Sequence, residues 1–331
     1  MVTRALQGGL WSATPTPFTR DLQVDVGSVE RMVEHHVSSG VTGLMLAGTC
    51  GEGPWLRNQD REVLVQTTIK AAAGRLRVAV HVAENSAGQV LDRIDAAAAA
   101  GAEYAVVSPP FFALNLSPDR LFAHYREIAR HSPIPIGLYD RGAASPYVLP
   151  ESHFDELFSE PAIVLVKDSS TSVARRDRYL EVRRQRPGLL LFSGDEFSCV
   201  EYLRAGYDGL LLGGAIFNAR LAGRIMTAVR AGDFDSANRN EQRMRDLMHR
   251  VYGGPKIECW LTGLKELLVQ MKVFSTSANL LGYPLTEICR SQIRAAVTGS
   301  DGLGFAVDLL GPLPLLATHH ESSPGIRVAL P

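Results

Sequence analysis

Lys167 is the residue whose type and position point most directly to chemistry. The chain carries only five lysines (Lys70, Lys167, Lys256, Lys265 and Lys272) against 29 arginines. Four of the five fall in stretches with helical patterning, whereas Lys167 closes the apolar run Ile163-Val164-Leu165-Val166. An amine held at the end of such a run is poorly solvated, which disfavours its charged form and lowers its pKa. A neutral amine attacks carbonyl carbon, and loss of water then leaves a Schiff base. The plain structural alternative is an ion pair with the adjacent Asp168, and context alone leaves both readings open.

Tyr139 closes a second apolar run, Ile134–Tyr139. If the two runs are neighbouring strands about 4.8 Å apart, the phenol lies within reach of the amine. It could then pass protons between amine, carbinolamine and substrate. A buried tyrosine satisfied by its own surroundings is the alternative. The turn Gly48-Thr49-Cys50-Gly51-Glu52 offers small residues, backbone N–H groups and a hydroxyl, as a carboxylate site needs. Cys50 has no histidine near it in sequence and reads as a small polar lining residue, not a nucleophile. His35, His36 and His81 lack metal-ligand spacing, so they read as structural and no metal site is expected.

These residues need a frame. Eight short apolar runs recur: Gly9–Thr14, Gly43–Ala47, Arg77–His81, Tyr104–Ser108, Ile134–Tyr139, Ile163–Lys167, Leu189–Ser193 and Gly209–Gly213. They are continuous, not alternating, as befits parallel strands covered on both faces. Between them lie helical segments: Ser28–Ser39, Asn58–Ala73, Ser86–Ala100, Ser117–His131, Pro150–Phe158, Ser172–Gln185, Glu196–Ala205 and Ala219–Ala231. Eight strand–helix units with no GxGxxG after any strand predict an α/β fold, a closed (β/α)8 TIM barrel over residues 1–232. Active residues then belong at the C-terminal strand ends, where Lys167, Tyr139 and the Thr49 turn all fall. Helices near Phe234–Val251, Lys256–Val273 and Thr286–Val297 predict a C-terminal helical extension over 233–298. Residues 299–331, rich in Gly and Pro and holding His319-His320, read as a poorly packed tail.

Composition narrows the function classes. Of 331 residues 46% are hydrophobic and 21% charged, and 34 basic residues balance 35 acidic ones for a net charge of -1. No global positive field exists to recruit nucleic acid or an anionic membrane surface. The arginines at 175, 176, 178, 183, 184 and 186 read as a solvated helix face. Cys50, Cys199, Cys259 and Cys289 are too widely spaced for a disulfide framework. The N-terminus lacks the apolar core of a secretory signal, and no uncharged run reaches membrane-spanning length. A cytoplasmic protein is expected.

Taken together, the ordered motifs resemble the dihydrodipicolinate synthase / N-acetylneuraminate lyase family of class I aldolases. They are Thr14-Pro15 or Thr16-Pro17-Phe18, then Gly48-Thr49-Cys50-Gly51-Glu52, Pro109-Pro110-Phe111-Phe112, Tyr139, Lys167-Asp168-Ser169-Ser170 and Ser193-Gly194-Asp195-Glu196. The resemblance covers about Gly9 to Val297. It implies that Lys167 forms an imine with the 2-oxo carbon of pyruvate or a related acid. It further implies that Tyr139 relays protons and that Thr49, with backbone amides nearby, holds the carboxylate; Gly48, Cys50, Arg141, Ser169 and Gly213 are the other residues expected to bind substrate. It implies no cofactor, a small 2-oxo acid as partner, and a homo-oligomer, dimer or tetramer.

Three departures point away from a true synthase. Cys50 stands where the family has a second hydroxyl, Phe112 where the synthase has a relay tyrosine, and Ala144 where it has an arginine for its second substrate. Arg141, at a shifted position, keeps the synthase as an alternative, and a non-catalytic barrel binding a small acid is another. The expectation is a lyase or aldolase on a hydroxy-2-oxo acid. Ser169, two residues after the lysine, favours the 4-hydroxy-2-oxoglutarate aldolase branch, and a 2-keto-3-deoxy sugar acid dehydratase fits equally. Lys167→Arg keeps the positive charge but cannot form an imine, because guanidinium stays protonated. Turnover should fall to the uncatalysed background while the circular dichroism spectrum and melting temperature stay close to wild type.

Overall fold

Each of the eight apolar runs becomes a strand, and the strands close on themselves. The computed structural model describes residues 7–113 and 115–311. The first half runs β1 (Leu10–Ala13), α1 (Val26–Ser38), β2 (Gly43–Leu46), α2 (Asn58–Ala72), β3 (Arg77–Val82), α3 (Ala87–Ala100), β4 (Tyr104–Val107) and α4 (Pro118–His131). The second half runs β5 (Ile136–Asp140), α5 (Phe154–Leu157), β6 (Ile163–Asp168), α6 (Val173–Gln185), β7 (Leu190–Ser193), α7 (Cys199–Ala205), β8 (Gly209–Leu212) and α8 (Ala215–Arg230). Neighbouring strands are parallel, and β1 also pairs with β8, which closes the barrel. Four further helices follow: α9 (Phe234–Tyr252), α10 (Trp260–Gln270), α11 (Glu287–Thr298) and α12 (Phe305–Leu310).

Local chemistry sets the helix starts. The side chains of Asp25, Ser86, Ser117 and Ser172 accept from the N–H groups of Ser28, Gln89, Arg120 and Arg175, so each caps its helix. Pro118 takes the first helical position, where its missing N–H costs nothing. Several predicted starts shift: the helix expected from Ala219 begins at Ala215, and the one expected from Lys256 begins at Trp260. The segment expected to be helical from Pro150 begins instead as a 3-10 turn, Glu151–His153, and only Phe154–Leu157 is α-helical. The helix expected from Glu196 begins at Cys199. Asp195 accepts from Phe197 N–H, and Ser193 Oγ accepts from Asp195 N–H, so a side-chain-closed turn keeps this stretch out of the helix.

The apolar side chains sort into two sets. One fills the barrel interior, with Trp11, Met45, Tyr104, Val106, Leu165, Phe192 and Leu211. The Trp11 ring meets Tyr104 and Phe192 edge-on, at centroid distances of 6.2 and 5.7 Å. The larger set lies between the strands and their helices and continues into α9, α10 and α11. Double-sided burial is the reason the strands read as unbroken apolar runs.

Lys265 on α10 and Glu52 in the turn after β2 form an ion pair of 2.5 Å, and both side chains are fully buried. The pair is well supported. Lys265 Nζ also donates to Ala278 O at 2.8 Å and lies 4.4 Å from the Phe18 ring centroid, and Leu280 N–H donates to the second Glu52 oxygen. Thus the helical extension is bolted to the Gly48–Glu52 turn. Lys256 and Lys272 lie outside α10, in the turns that flank it.

Other expectations are corrected. Arg175 is not on a solvated face: it is 7% exposed, and its Nε donates to Asp140 Oδ2 at 2.5 Å. The segment from 299 is packed at its start. Phe305 and Leu309 of α12 are buried, and Asp308 bonds Arg224 and Arg243. The remainder, including His319-His320, lies outside the described residues. Among the described residues, no helix is long and apolar enough to cross a membrane.

Removing one partner of a buried, hydrogen-bonded ion pair strands the other charge in a low dielectric. Lys265→Met should therefore lower the unfolding free energy by about 3–5 kcal/mol in urea titration. Adding Glu52→Gln to that variant should restore part of the loss. No recovery in the double variant would show that the pair's packing, not its charge, is what matters.

Candidate active site

The site is built at the C-terminal ends of β5 and β6. A bulge offsets the two strands after the Ile136–Ile163 pair, so that Gly137 meets Leu165 and Tyr139 meets Lys167. Side chains alternate along a strand. Leu165 points into the barrel, so Lys167 does too, while Asp168 points out toward the helices. There Asp168 accepts from Tyr207 OH at 2.7 Å and from Ser170 N–H at 2.9 Å. The alternative ion pair between Lys167 and Asp168 does not form. Asp140, one residue past Tyr139, is held the same way by Arg175 Nε, Tyr179 OH at 2.6 Å and Gly142 N–H at 2.8 Å. Two outward carboxylates thus clamp the strand ends that carry the two inward residues.

Lys167 is 4% exposed, and its Nζ lies 4.2 Å from the centroid of the Tyr139 ring. The amine rests on the ring face, not at the hydroxyl, because both chains leave the same register pair of adjacent strands. Burial alone would raise the phenol's pKa. The Lys167 charge, hydrogen bonds from the Thr49 and Ser169 hydroxyls and the nearby Arg141 guanidinium outweigh it and hold Tyr139 below its ordinary value. Five sequence-selected residues are therefore brought to one place: Lys167, Tyr139, Thr49, Ser169 and Arg141.

The remaining wall comes from other strand ends. The Gly48–Glu52 turn is closed by Glu52 N–H to Thr49 O and Gly53 N–H to Gly48 O, and by Thr16 Oγ1 to Gly51 O at 2.6 Å. These bonds leave the N–H groups of Thr49, Cys50 and Gly51 without a backbone acceptor among the described residues. Cys50 is buried, and burial pushes its thiol pKa up, so it stays protonated at neutral pH. A Cβ at Gly194 would lie 2.0 Å from Ser169 Oγ and 3.0 Å from Lys167 Cε, so glycine there leaves room for the Ser169 hydroxyl beside the lysine. A Cβ on Gly213 would lie 3.3 Å from Glu196 Oε1 and 3.7 Å from Cys50 Sγ, so Gly213 keeps a gap open between them.

Two groups were not singled out as site residues from sequence. His81, 3% exposed, sits edge-on to Tyr139 with ring centroids 5.6 Å apart. Its Nδ1 lies 3.0 Å from Ala47 O, which assigns the proton to that nitrogen. Burial pushes its pKa down to about 3, so the ring is neutral. Glu196 is the second. Its Oε2 accepts from Gly214 N–H at 2.5 Å, and its Oε1 lies 3.4 Å from Tyr252 OH on α9. Burial pushes its pKa up to about 7, although Gly214 N–H, Lys167 and Tyr252 all favour the ionised form. An acid three residues past the seventh strand was the available signal, but the helix was expected to start on it.

Residues 6–298 match the Dihydrodipicolinate synthetase family. The 4-hydroxy-tetrahydrodipicolinate synthase of Roseobacter denitrificans is 28% identical over 284 residues, 85% of this chain and 92% of that protein. Among solved structures, dihydrodipicolinate synthase from Bacteroides thetaiotaomicron superposes with a TM-score of 0.82 at 22% identity, covering 90% of this chain and all of that one. A prophage protein of E. coli K12 from the dihydrodipicolinic acid synthase family, solved in complex with pyruvate, gives 0.79 at 22% identity, covering 89% and 99%. Fold and family match agree across nearly the same residues, and the chain belongs to the dihydrodipicolinate synthetase family, whose members are Schiff-base lyases.

Proposed function

We propose that this lyase acts on pyruvate or a hydroxy-2-oxo acid through an imine on Lys167. One observation carries the assignment of that residue: a buried amine at the end of β6, free of Asp168 and resting on the Tyr139 ring. Lys167 attacks the 2-oxo carbon, and the carbonyl oxygen leaves as water once it has been protonated twice. Tyr139, held acidic by its neighbours, supplies and recovers protons in that exchange. Thr49 and the N–H groups of its turn take the substrate carboxylate. Arg141 adds positive charge on the same side, while Ser169, Cys50, Gly48 and Gly213 shape the wall. The imine then draws electrons from C3, which permits cleavage or formation of the bond at C3, or loss of a hydroxyl.

The substrate reading favours an aldolase or dehydratase over a true synthase. The Cys50 thiol is a weak hydrogen-bond donor and acceptor, and so a poor substitute for a hydroxyl in a proton relay. Phe112 carries no exchangeable proton and is 68% exposed. Ala144 brings no cation to the mouth of the site. A homo-oligomer and a cytoplasmic location, consistent with four unpaired cysteines, belong to the same reading.

Incubation with pyruvate and sodium borohydride should fix a reduced pyruvyl adduct, detectable by intact mass and mapped to the Lys167 peptide. Lys167→Ala should give none. Absence of an adduct in the wild type, with pyruvate and with longer 2-oxo acids, would leave a small-acid-binding barrel as the better description.

A further inference from the structure

The Thr49 and Ser169 hydroxyls gather around Tyr139, beside Lys167. Cys50, whose thiol stays protonated, and Glu196 form another part of the same wall, and both interact with the Lys167 charge. Between these two the small Gly213 leaves a gap. The Glu196 carboxyl is fixed from three elements: Gly214 N–H after β8, Tyr252 OH on α9, and its own loop after β7. A methyl added at Gly214 would lie 2.5 Å from Glu196 Oε2, 2.7 Å from Asn218 Nδ2 and 3.0 Å from Tyr252 OH, so these groups converge. Asn218 is fully buried, and neither polar atom of its amide has a hydrogen-bond partner among the described residues. Unpartnered polar groups are costly in a core. Here the cost falls beside a carboxyl that borders the Gly213 gap and feels the Lys167 charge.

We propose that Glu196 is the acid–base group that moves the proton at C3 of the Lys167-bound substrate, with Tyr252 as its positioning residue. This rests on the Schiff-base reading above. In the pyruvate imine, a Glu196 oxygen takes a proton from C3. The C3–H electron pair becomes the C2–C3 double bond, and the C=N π pair moves to nitrogen and neutralises the iminium. Reversal returns the proton to C3. In cleavage of a hydroxy-2-oxo acid the carboxylate takes the proton of the C4 hydroxyl as the C3–C4 electron pair becomes the enamine double bond and an aldehyde leaves; the now protonated carboxyl returns that proton to C3, and hydrolysis of the imine releases pyruvate. No oxidant or reductant is involved.

The electrostatics suit the task. A carboxyl with a pKa near 7 exists in both forms at neutral pH, which favours transfer in either direction. The charged and titratable groups facing it are Lys167 from β6, Cys50 from the turn after β2, Tyr252 from α9, Cys199 from α7 and Asp195 beside it. Lys167 is the cation among them, and its charge is retained in the iminium that Glu196 would deprotonate.

The test needs only pyruvate. Deuterium exchange into the pyruvate methyl group in D2O is followed by proton NMR, alongside borohydride trapping. In the wild type the exchange rate should rise through about pH 7 as Glu196 ionises. Glu196→Gln should still trap pyruvate on Lys167 but exchange the methyl about 10²-fold or more slowly, without the rise near pH 7. Tyr252→Phe removes a bond that favours the carboxylate, so its rise should move to higher pH. Glu196→Gln exchanging within threefold of wild type would overturn the proposal. So would loss of the adduct in that variant, or a wild type that traps pyruvate but does not exchange. A wild type that traps nothing would instead overturn the Schiff-base reading itself.

Discussion

The alternation of side chains at the end of β6 is the constraint from which the rest of the site follows. Lys167 and Asp168 are consecutive, so one must face the barrel interior and the other the helices. Asp168 is drawn outward by Tyr207 OH and Ser170 N–H. That fixes the ammonium inward, away from its nearest carboxylate in sequence. The bulge between β5 and β6 then brings Tyr139 level with it, and Asp140 is drawn outward in the same manner by Arg175 and Tyr179. Two pairs of neighbouring residues are divided between the barrel interior and anchorage outside.

The site extends beyond the barrel proper. Lys265 of α10 reaches Glu52 in a fully buried ion pair, and this ties the carboxylate-suited turn to the helical extension. Tyr252 of α9 reaches the Glu196 carboxyl. The extension therefore touches two separate parts of the strand-end surface, once through charge and once through a phenol. A buried pair of this kind contributes little net stability compared with apolar residues of similar volume, but it specifies one arrangement. Fixing the turn that presents Thr49 and its backbone N–H groups is a use consistent with that cost.

Much of the fold was legible because its signals are local. Eight unbroken apolar runs and capping residues such as Ser86 and Ser117 mark elements without knowledge of what they pack against. That Lys167, Tyr139, Thr49 and Ser169 lie close together was legible as well, since each lies at or just past the end of a run and the barrel gathers such ends. What failed depended on partners distant in sequence. Arg175 looked solvated among other arginines, but Asp140, 35 residues away, buries it. Glu196 looked like the start of a helix, but the turn closed by Ser193 and Asp195 releases it toward β8.

Sequence alone thus determined the repeating strand–helix order, the barrel it closes into, and an amine and a phenol at adjoining strand ends. Those features follow from periodicity and from backbone geometry that each residue carries with it. Only the tertiary structure decided that the amine rests on the phenol's ring, that Asp168 turns away from it, that His81 stands edge-on to the phenol, and that Glu196 meets Gly214 N–H and Tyr252 OH. It also decided protonation: Glu196 is pushed up to about 7 and His81 down to about 3 by burial. Desolvation and the field of nearby charges depend on which groups the fold brings together, and no local stretch of sequence contains that information.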